Sequence, residues 1–172
     1  MLILVTGGSA SGKSAYAESL CLCGSPRVYL ACMQPFGEEG AARIERHRAL
    51  RKGRGFLTVE RYTDLAALTL PPCECVLLED LGNLVANEMF SAAPPRDPFD
   101  AVIGGVDALI GKCKRLVVVT DEIGSDGIDY DSATTAYIAA LGAANRALSL
   151  RAEAVIEVVA GIPIMLKGEF PV

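Results

Sequence analysis

Apolar residues along this chain fall into two kinds of run. Short unbroken runs, such as Leu2 to Thr6, predict strands buried on both faces. Longer Ala-rich stretches between them carry helical spacing. Read in order, the pattern predicts a strand at Leu2 to Thr6, a Gly/Ser loop, and a helix from about Lys13 to Cys21. A second strand follows at Val28 to Cys32, then a charged helix from Glu38 to Lys52, then a short strand at Phe56 to Val59. Val76 to Leu78 predicts a strand that runs out into Glu79-Asp80, followed by a helix from Gly82 to Phe90. Ser91 to Pro98 holds three prolines and reads as a loop. A helix at Asp100 to Lys112, a strand at Leu116 to Thr120 and an acidic, Gly-containing loop from Asp121 to Asp131 come next. Ser132 is the expected N-cap of a helix running to about Leu150. Ala154 to Val159 and Ile162 to Leu166 predict a final strand pair, split by Ala160-Gly161. Strands alternating with helices predict an α/β fold: a mostly parallel, doubly wound sheet flanked by helices, in a single domain spanning residues 1–172.

Composition narrows this picture. A length of 172 residues suits one domain with a real core, and 51% hydrophobic against 22% charged residues excludes a disordered chain. With 16 Lys and Arg against 21 Asp and Glu, the net charge is -5. Such a chain is a poor general binder of nucleic acid or of an anionic membrane surface. The opening MLILVTGG lacks a basic stretch and is too short in its apolar run for a signal peptide. No apolar run approaches the roughly 20 residues that span a bilayer. The expectation is a soluble, cytoplasmic protein whose six cysteines stay reduced. The C-x-C pairs Cys21/Cys23 and Cys73/Cys75 do not have zinc-knuckle spacing and read as small buried side chains. There is one histidine, His47, so any imidazole chemistry rests on it.

One local motif carries chemistry by itself. Gly7-Gly8-Ser9-Ala10-Ser11-Gly12-Lys13-Ser14 fits G-x-x-x-x-G-K-[ST] at every fixed position, after a buried strand and at the start of a helix. Glycines let the backbone curl until its N–H groups point at phosphate oxygens, and the helix adds its positive end. Lys13 would reach the β- and γ-phosphates of a nucleoside triphosphate, and Ser14 would hold Mg2+. The fold class therefore sharpens to P-loop NTPase-like. Glu79 and Asp80, at the end of a neighbouring strand, are the expected acidic partners, on Mg2+ or its water or on a nucleotide hydroxyl. Thr120-Asp121-Glu122 ends another strand at the edge where open α/β sheets place ligands.

Basic charge is concentrated. Arg43, Arg46, Arg48, Arg51, Lys52 and Arg54 are six of the 16 basic residues, in twelve consecutive positions. Arg43, His47 and Arg51 share one helical face. The cluster suits a polyphosphate ligand and favours a neutral, nucleophilic imidazole at His47. From the residues alone a solvated basic helix with a surface histidine is the better reading. Two functional classes fit these residues: a small-molecule P-loop kinase with His47 on the surface, and a non-catalytic nucleotide-binding switch.

Taken together, these segments resemble the adenosylcobinamide kinase/adenosylcobinamide-phosphate guanylyltransferase family of cobalamin biosynthesis. ILVTGGSASGKS looks like that family's phosphate loop, and Val28-Tyr29-Leu30-Ala31 like its second strand. Arg43-Ile44-x-x-His47, Arg51 and Thr58-Val59-Glu60 are similar to its R-I-x-x-H…R…T-x-E stretch. Leu77-Leu78-Glu79 with Asn87, Thr120-Asp121-Glu122-Ile123-Gly124, Gly142 with Asn145, and Gly161-Ile162-Pro163 continue the likeness in order. The family's Asn before Glu is Asp121 here, and residues 125–135 lack the family's proline and arginines.

The resemblance implies a bifunctional enzyme. It would phosphorylate adenosylcobinamide with ATP or GTP, then transfer GMP from GTP to adenosylcobinamide phosphate through a guanylylated His47. Implied with it are catalytic roles for His47 and Lys13, and nucleotide binding by Gly7 to Ser14, Arg43, Arg51, Glu60 and Glu79. Mg2+ at Ser14, Glu79 and Asp80 and a homotrimeric assembly complete the set of expectations.

Overall fold

The computed structural model describes residues 1–35, 37, 45, 53–91, 97–124 and 126–171. Seven strands form one sheet: β1 Leu2–Thr6, β2 Arg27–Ala31, β3 Phe56–Glu60, β4 Cys75–Glu79, β5 Arg115–Val119, β6 Ala154–Val159 and β7 Ile162–Lys167. The described α-helices are α1 Lys13–Leu20, α2 Leu81–Phe90, α3 Pro98–Ile110 and α4 Ser132–Arg151. The spatial order is β3-β2-β4-β5-β1-β6-β7. The pairings from β3 to β6 are parallel, and β7 returns antiparallel on β6. The expected doubly wound, mostly parallel sheet is what forms.

Its central strands β1, β4 and β5 are apolar except at their ends (Thr6, Glu79, Arg115), because helices cover both faces. Leu2 and Leu4 of β1, with Val76 and Leu78 of β4, pack against Leu84, Val106, Leu141 and Leu148 of α2, α3 and α4. Ile3 and Val5, with Leu77 and Val117, pack on the other face against Ala17 and Leu20 of α1. Each fully buried aliphatic side chain contributes about 1.5–3 kcal/mol by leaving water. No helix among the described residues is long and apolar enough to cross a membrane.

Some boundaries differ from the sequence expectation. α3 starts at Pro98, with the Asp97 carboxylate accepting the Phe99 N–H at 2.8 Å. The proline belongs to the first turn, where its missing N–H costs nothing. α4 is capped by Asp131, not Ser132: its carboxylate accepts the N–H groups of Ala133 and Thr134 at 2.9 and 3.0 Å. A single 3-10 turn at Leu65–Ala67 was not expected. Of the cysteines, Cys21, Cys32 and Cys75 are buried as expected, but Cys23 is exposed. The charged helix expected at 38–52 falls almost wholly outside the described residues.

Candidate functional site

β1 delivers the chain to Gly7, and α1 begins at Lys13. The turn between them needs glycine. Gly7 has a φ of 152° and Gly12 a φ of 94°. A Cβ on Gly7 would sit 2.5 Å from the Val158 carbonyl oxygen, and one on Gly12 would sit 3.3 Å from Gly161 Cα. The β6–β7 connection thus presses against the loop, and the Gly161 N–H donates to the Ser11 carbonyl at 2.8 Å. Gly8, Ser9 and Ala10 stand exposed at the crest, with Ala10 at a left-handed φ of 57°. The Ser11 hydroxyl is buried with no hydrogen-bond partner among the described residues. An orphaned donor in a phosphate loop is what a phosphate oxygen would satisfy.

Lys13 is buried at the loop's base. Its Nζ donates to the Gly8 carbonyl at 3.1 Å and pairs with Asp121 Oδ1 at 2.6 Å. Asp121 reaches it because β5 is the immediate neighbour of β1. Beyond β5 lies β4, which ends in Glu79. Glu79 is buried and hydrogen-bonded to Ser14 and to Tyr29. Burial pushes its carboxyl up to about 7, and the nearby Asp80 and Glu18 carboxylates push the same way while the two hydrogen bonds oppose them. Asp80 caps α2, its two oxygens accepting the backbone and side-chain amides of Asn83 at 2.7 and 2.8 Å. The Ser14 hydroxyl and Glu79 carboxylate are hard oxygen donors side by side, a set that suits Mg2+ completed by water and phosphate oxygens.

Glu60 ends β3 in register with Ala31, which is in register with Glu79. It therefore stands on the same edge and face of the sheet, about 10 Å from Glu79, and accepts the Tyr62 hydroxyl at 3.0 Å. On the α4 side, the Thr120 hydroxyl donates to Asn145 Oδ1 at 2.8 Å. Tyr137 of α4 is pushed up to about 12, by burial first and then by Asp80 and Asp121. His47, Arg43 and Arg51 lie outside the described residues.

A cleft of about 290 Å³ opens along the loop, lined by residues 10–15 with Glu18 and Arg54. Sequence reading missed Glu18 as a cleft residue, and it counted Arg54 only as one of the basic cluster suited to a polyphosphate ligand. Glu18 lies one helical turn after Ser14, a spacing that could have flagged it.

The fold is shared with solved structures. A KaiC-like protein of Pyrococcus horikoshii superposes with a TM-score of 0.52 at 12% identity, covering 91% of this chain and 69% of that one. The RadB recombinase gives 0.52 at 13% identity, covering 99% of this chain and 82% of that one. Closer relatives appear by sequence. The bifunctional adenosylcobalamin biosynthesis protein CobU of Escherichia coli is 35% identical over 97% of this chain and 100% of that protein. Its namesake in Salmonella typhimurium is 32% identical with the same coverage. The bifunctional adenosylcobalamin biosynthesis protein CobP of Pseudomonas aeruginosa is 31% identical over 96% of this chain and 97% of that one. The family model for cobinamide kinase/cobinamide phosphate guanyltransferase matches residues 3–166. Matched by that model over almost its whole length and by relatives above 30% identity, this chain belongs to the cobinamide kinase/cobinamide phosphate guanyltransferase family.

Proposed function

We propose that this chain is a bifunctional enzyme of adenosylcobalamin biosynthesis. It phosphorylates the hydroxyl of adenosylcobinamide from ATP or GTP, then joins GMP from GTP to the resulting phosphate to give adenosylcobinamide-GDP. The observation that carries this reading is the meeting of Lys13, Ser14, Glu79 and the orphaned Ser11 hydroxyl at one loop, in a chain whose residues 3–166 match the family model named for a cobinamide kinase and a cobinamide phosphate guanyltransferase.

In the phosphoryl transfer, the loop N–H groups and Lys13 hold the β- and γ-phosphates and stabilise the charge that develops on them. Lys13 must first exchange Asp121 for phosphate. Ser14 and Glu79, with Asp80 beside them, would hold Mg2+, which neutralises phosphate charge when bound. Glu60 and Glu79, in register at one sheet edge, are assigned to the base or ribose of the nucleotide.

In the guanylyl transfer, a neutral His47 nitrogen forms a bond to the α-phosphorus while the bond to pyrophosphate breaks. A phosphate oxygen of the corrinoid then displaces the imidazole, and two easier displacements replace one. Arg43 and Arg51, on the same stretch as His47, stabilise the charge in both. The unit is a single nucleotide-binding domain in a cytoplasmic homotrimer.

Labelling tests this. Incubation with GTP labelled at the α-phosphate, followed by denaturation, is expected to leave an acid-labile, alkali-stable label that His47→Ala abolishes. An unlabelled wild type removes the guanylyltransferase. Cobinamide phosphorylation without label leaves a kinase alone, and GTP binding with neither activity leaves a binding module.

A further inference from the structure

One cation of the cleft is explained neither by the phosphate-loop motif nor by the family likeness. Arg54 sits in the turn that leads into β3, between Gly53 and Gly55, both with left-handed φ (86° and 72°). Its NH1 lies 2.5 Å from Glu18 Oε2. The Glu18 side chain is only 7% exposed, whereas that of Arg54 is 41% exposed. Both residues line the same cleft as residues 10–15.

A carboxylate this buried needs a partner, and the guanidinium supplies one. The pairing also fixes the guanidinium in space. A guanidinium carries five N–H donors in a rigid fork, so one contact to Glu18 leaves others to face the cleft. A solvated arginine loses rotamer freedom when it grips an anion. One already tethered to a buried carboxylate has lost much of that freedom before the anion arrives. Glu18 is also one turn beyond Ser14 on α1, so the tether places the cation next to the loop that receives phosphates.

We propose that Arg54 is a further phosphate-binding residue, gripping the polyphosphate chain of the bound nucleotide, and that Glu18 is the positioning residue that presents it. This rests on the reading of the cleft as a nucleoside triphosphate site. The anion recognised is polyphosphate, so the contribution is the same for ATP and GTP.

The test measures GTP affinity in the presence of Mg2+ across a range of salt, for the full chain and its variants. Arg54→Ala is expected to weaken binding about tenfold or more and to flatten the salt dependence. Arg54→Lys, which keeps the charge but not the fork, is expected to fall between and to keep the salt slope. Glu18→Gln is expected to weaken binding less than Arg54→Ala, and to add nothing in the Arg54→Ala background. A purely structural Glu18 would instead act independently of Arg54. If losing the Arg54 contact to Glu18 unfolds Arg54→Ala, the uncharged pair Glu18→Gln/Arg54→Gln carries the same expectation. Lys13→Ala serves as the reference. If it removes binding while Arg54→Ala stays within twofold of wild type, the proposal for Arg54 is overturned and the nucleotide site stands. If wild type binds no GTP, the nucleotide-site reading falls and this proposal falls with it.

Discussion

Glu79 is a carboxyl group held where its charge is expensive. It is buried under the phosphate loop and its acidity is weakened to about 7 from 4.5. Between those two values the folded protein holds a proton that the unfolded chain has released, so stability falls as pH rises through that window. The shift corresponds to at most about 3 kcal/mol above pH 7. Glu79→Gln is therefore expected to raise the melting temperature of the nucleotide-free protein at pH 8 and to leave it nearly unchanged at pH 4.5. Equal shifts at both pH values would count against a buried, charge-strained Glu79. The same variant sacrifices an oxygen donor beside Ser14, so the residue is retained against the interest of stability.

At this scale the sequence is informative where chemistry is contiguous. Residues 7–14 announce themselves because neighbours in the chain are neighbours around the phosphate. Glu79 was legible because an apolar strand that ends in an acid points to the ligand-binding edge of the sheet. The pairing of Arg54 with Glu18 was not legible, because it joins positions 36 residues apart through the tertiary fold. Lys13 and Asp121 were both singled out in the sequence, but their contact follows from strand order, which periodicity does not encode.

Among elements, the inner strands β1, β4 and β5 were read well because burial on both faces makes their middles continuously apolar. Helix starts were read less well, since they depend on which carboxylate turns back to cap. Asp131 takes that role one residue ahead of the expected Ser132, and Asp97 takes it three residues ahead of the expected start at Asp100. The three-residue turn at Leu65–Ala67 is too short to carry a period, yet it decides how α3 docks. Gly105 of α3 faces it, and a Cβ there would lie 2.7 Å from Leu65 Cβ. Gly104, its neighbour, is exposed with open space around it. Gly105→Ala is expected to destabilise by about 1–3 kcal/mol through overpacking, a drop of roughly 2–4 °C per kcal/mol. Gly104→Ala is expected to stabilise by about 0.4–1 kcal/mol. Thermal melts of the two variants decide this, and GTP affinity should be unchanged in both. Matching melts would remove the close approach of α3 to the 3-10 turn.

For the whole molecule, alternation of strands and helices was enough to predict a parallel sheet with helices on both faces. The order β3-β2-β4-β5-β1-β6-β7 was not predictable in this way, because each strand of a buried sheet is apolar whichever neighbour it has. That order puts Lys13, Asp121, Glu79 and Glu60 along one edge, contributed by β1, β5, β4 and β3 in turn.

The contact between Gly161 and the phosphate loop has a consequence in time. β1 is synthesised before the other strands of its sheet, but its partners are β5, which begins at Arg115, and β6, which begins at Ala154. The loop it carries is braced by a backbone N–H at residue 161 of 172. A chain stopped after Glu153 is therefore expected to show no cooperative melt and no GTP binding, even though the entire phosphate-loop motif is present. A truncated chain with full-length affinity would show that the brace is dispensable. In refolding, a fluorescent GTP analogue should report only in the slowest phase, since closing contacts this distant along the chain is slow. The nascent polypeptide thus carries its nucleotide signature once Ser14 is in place but acquires a grip on nucleotide only as β6 and β7 arrive.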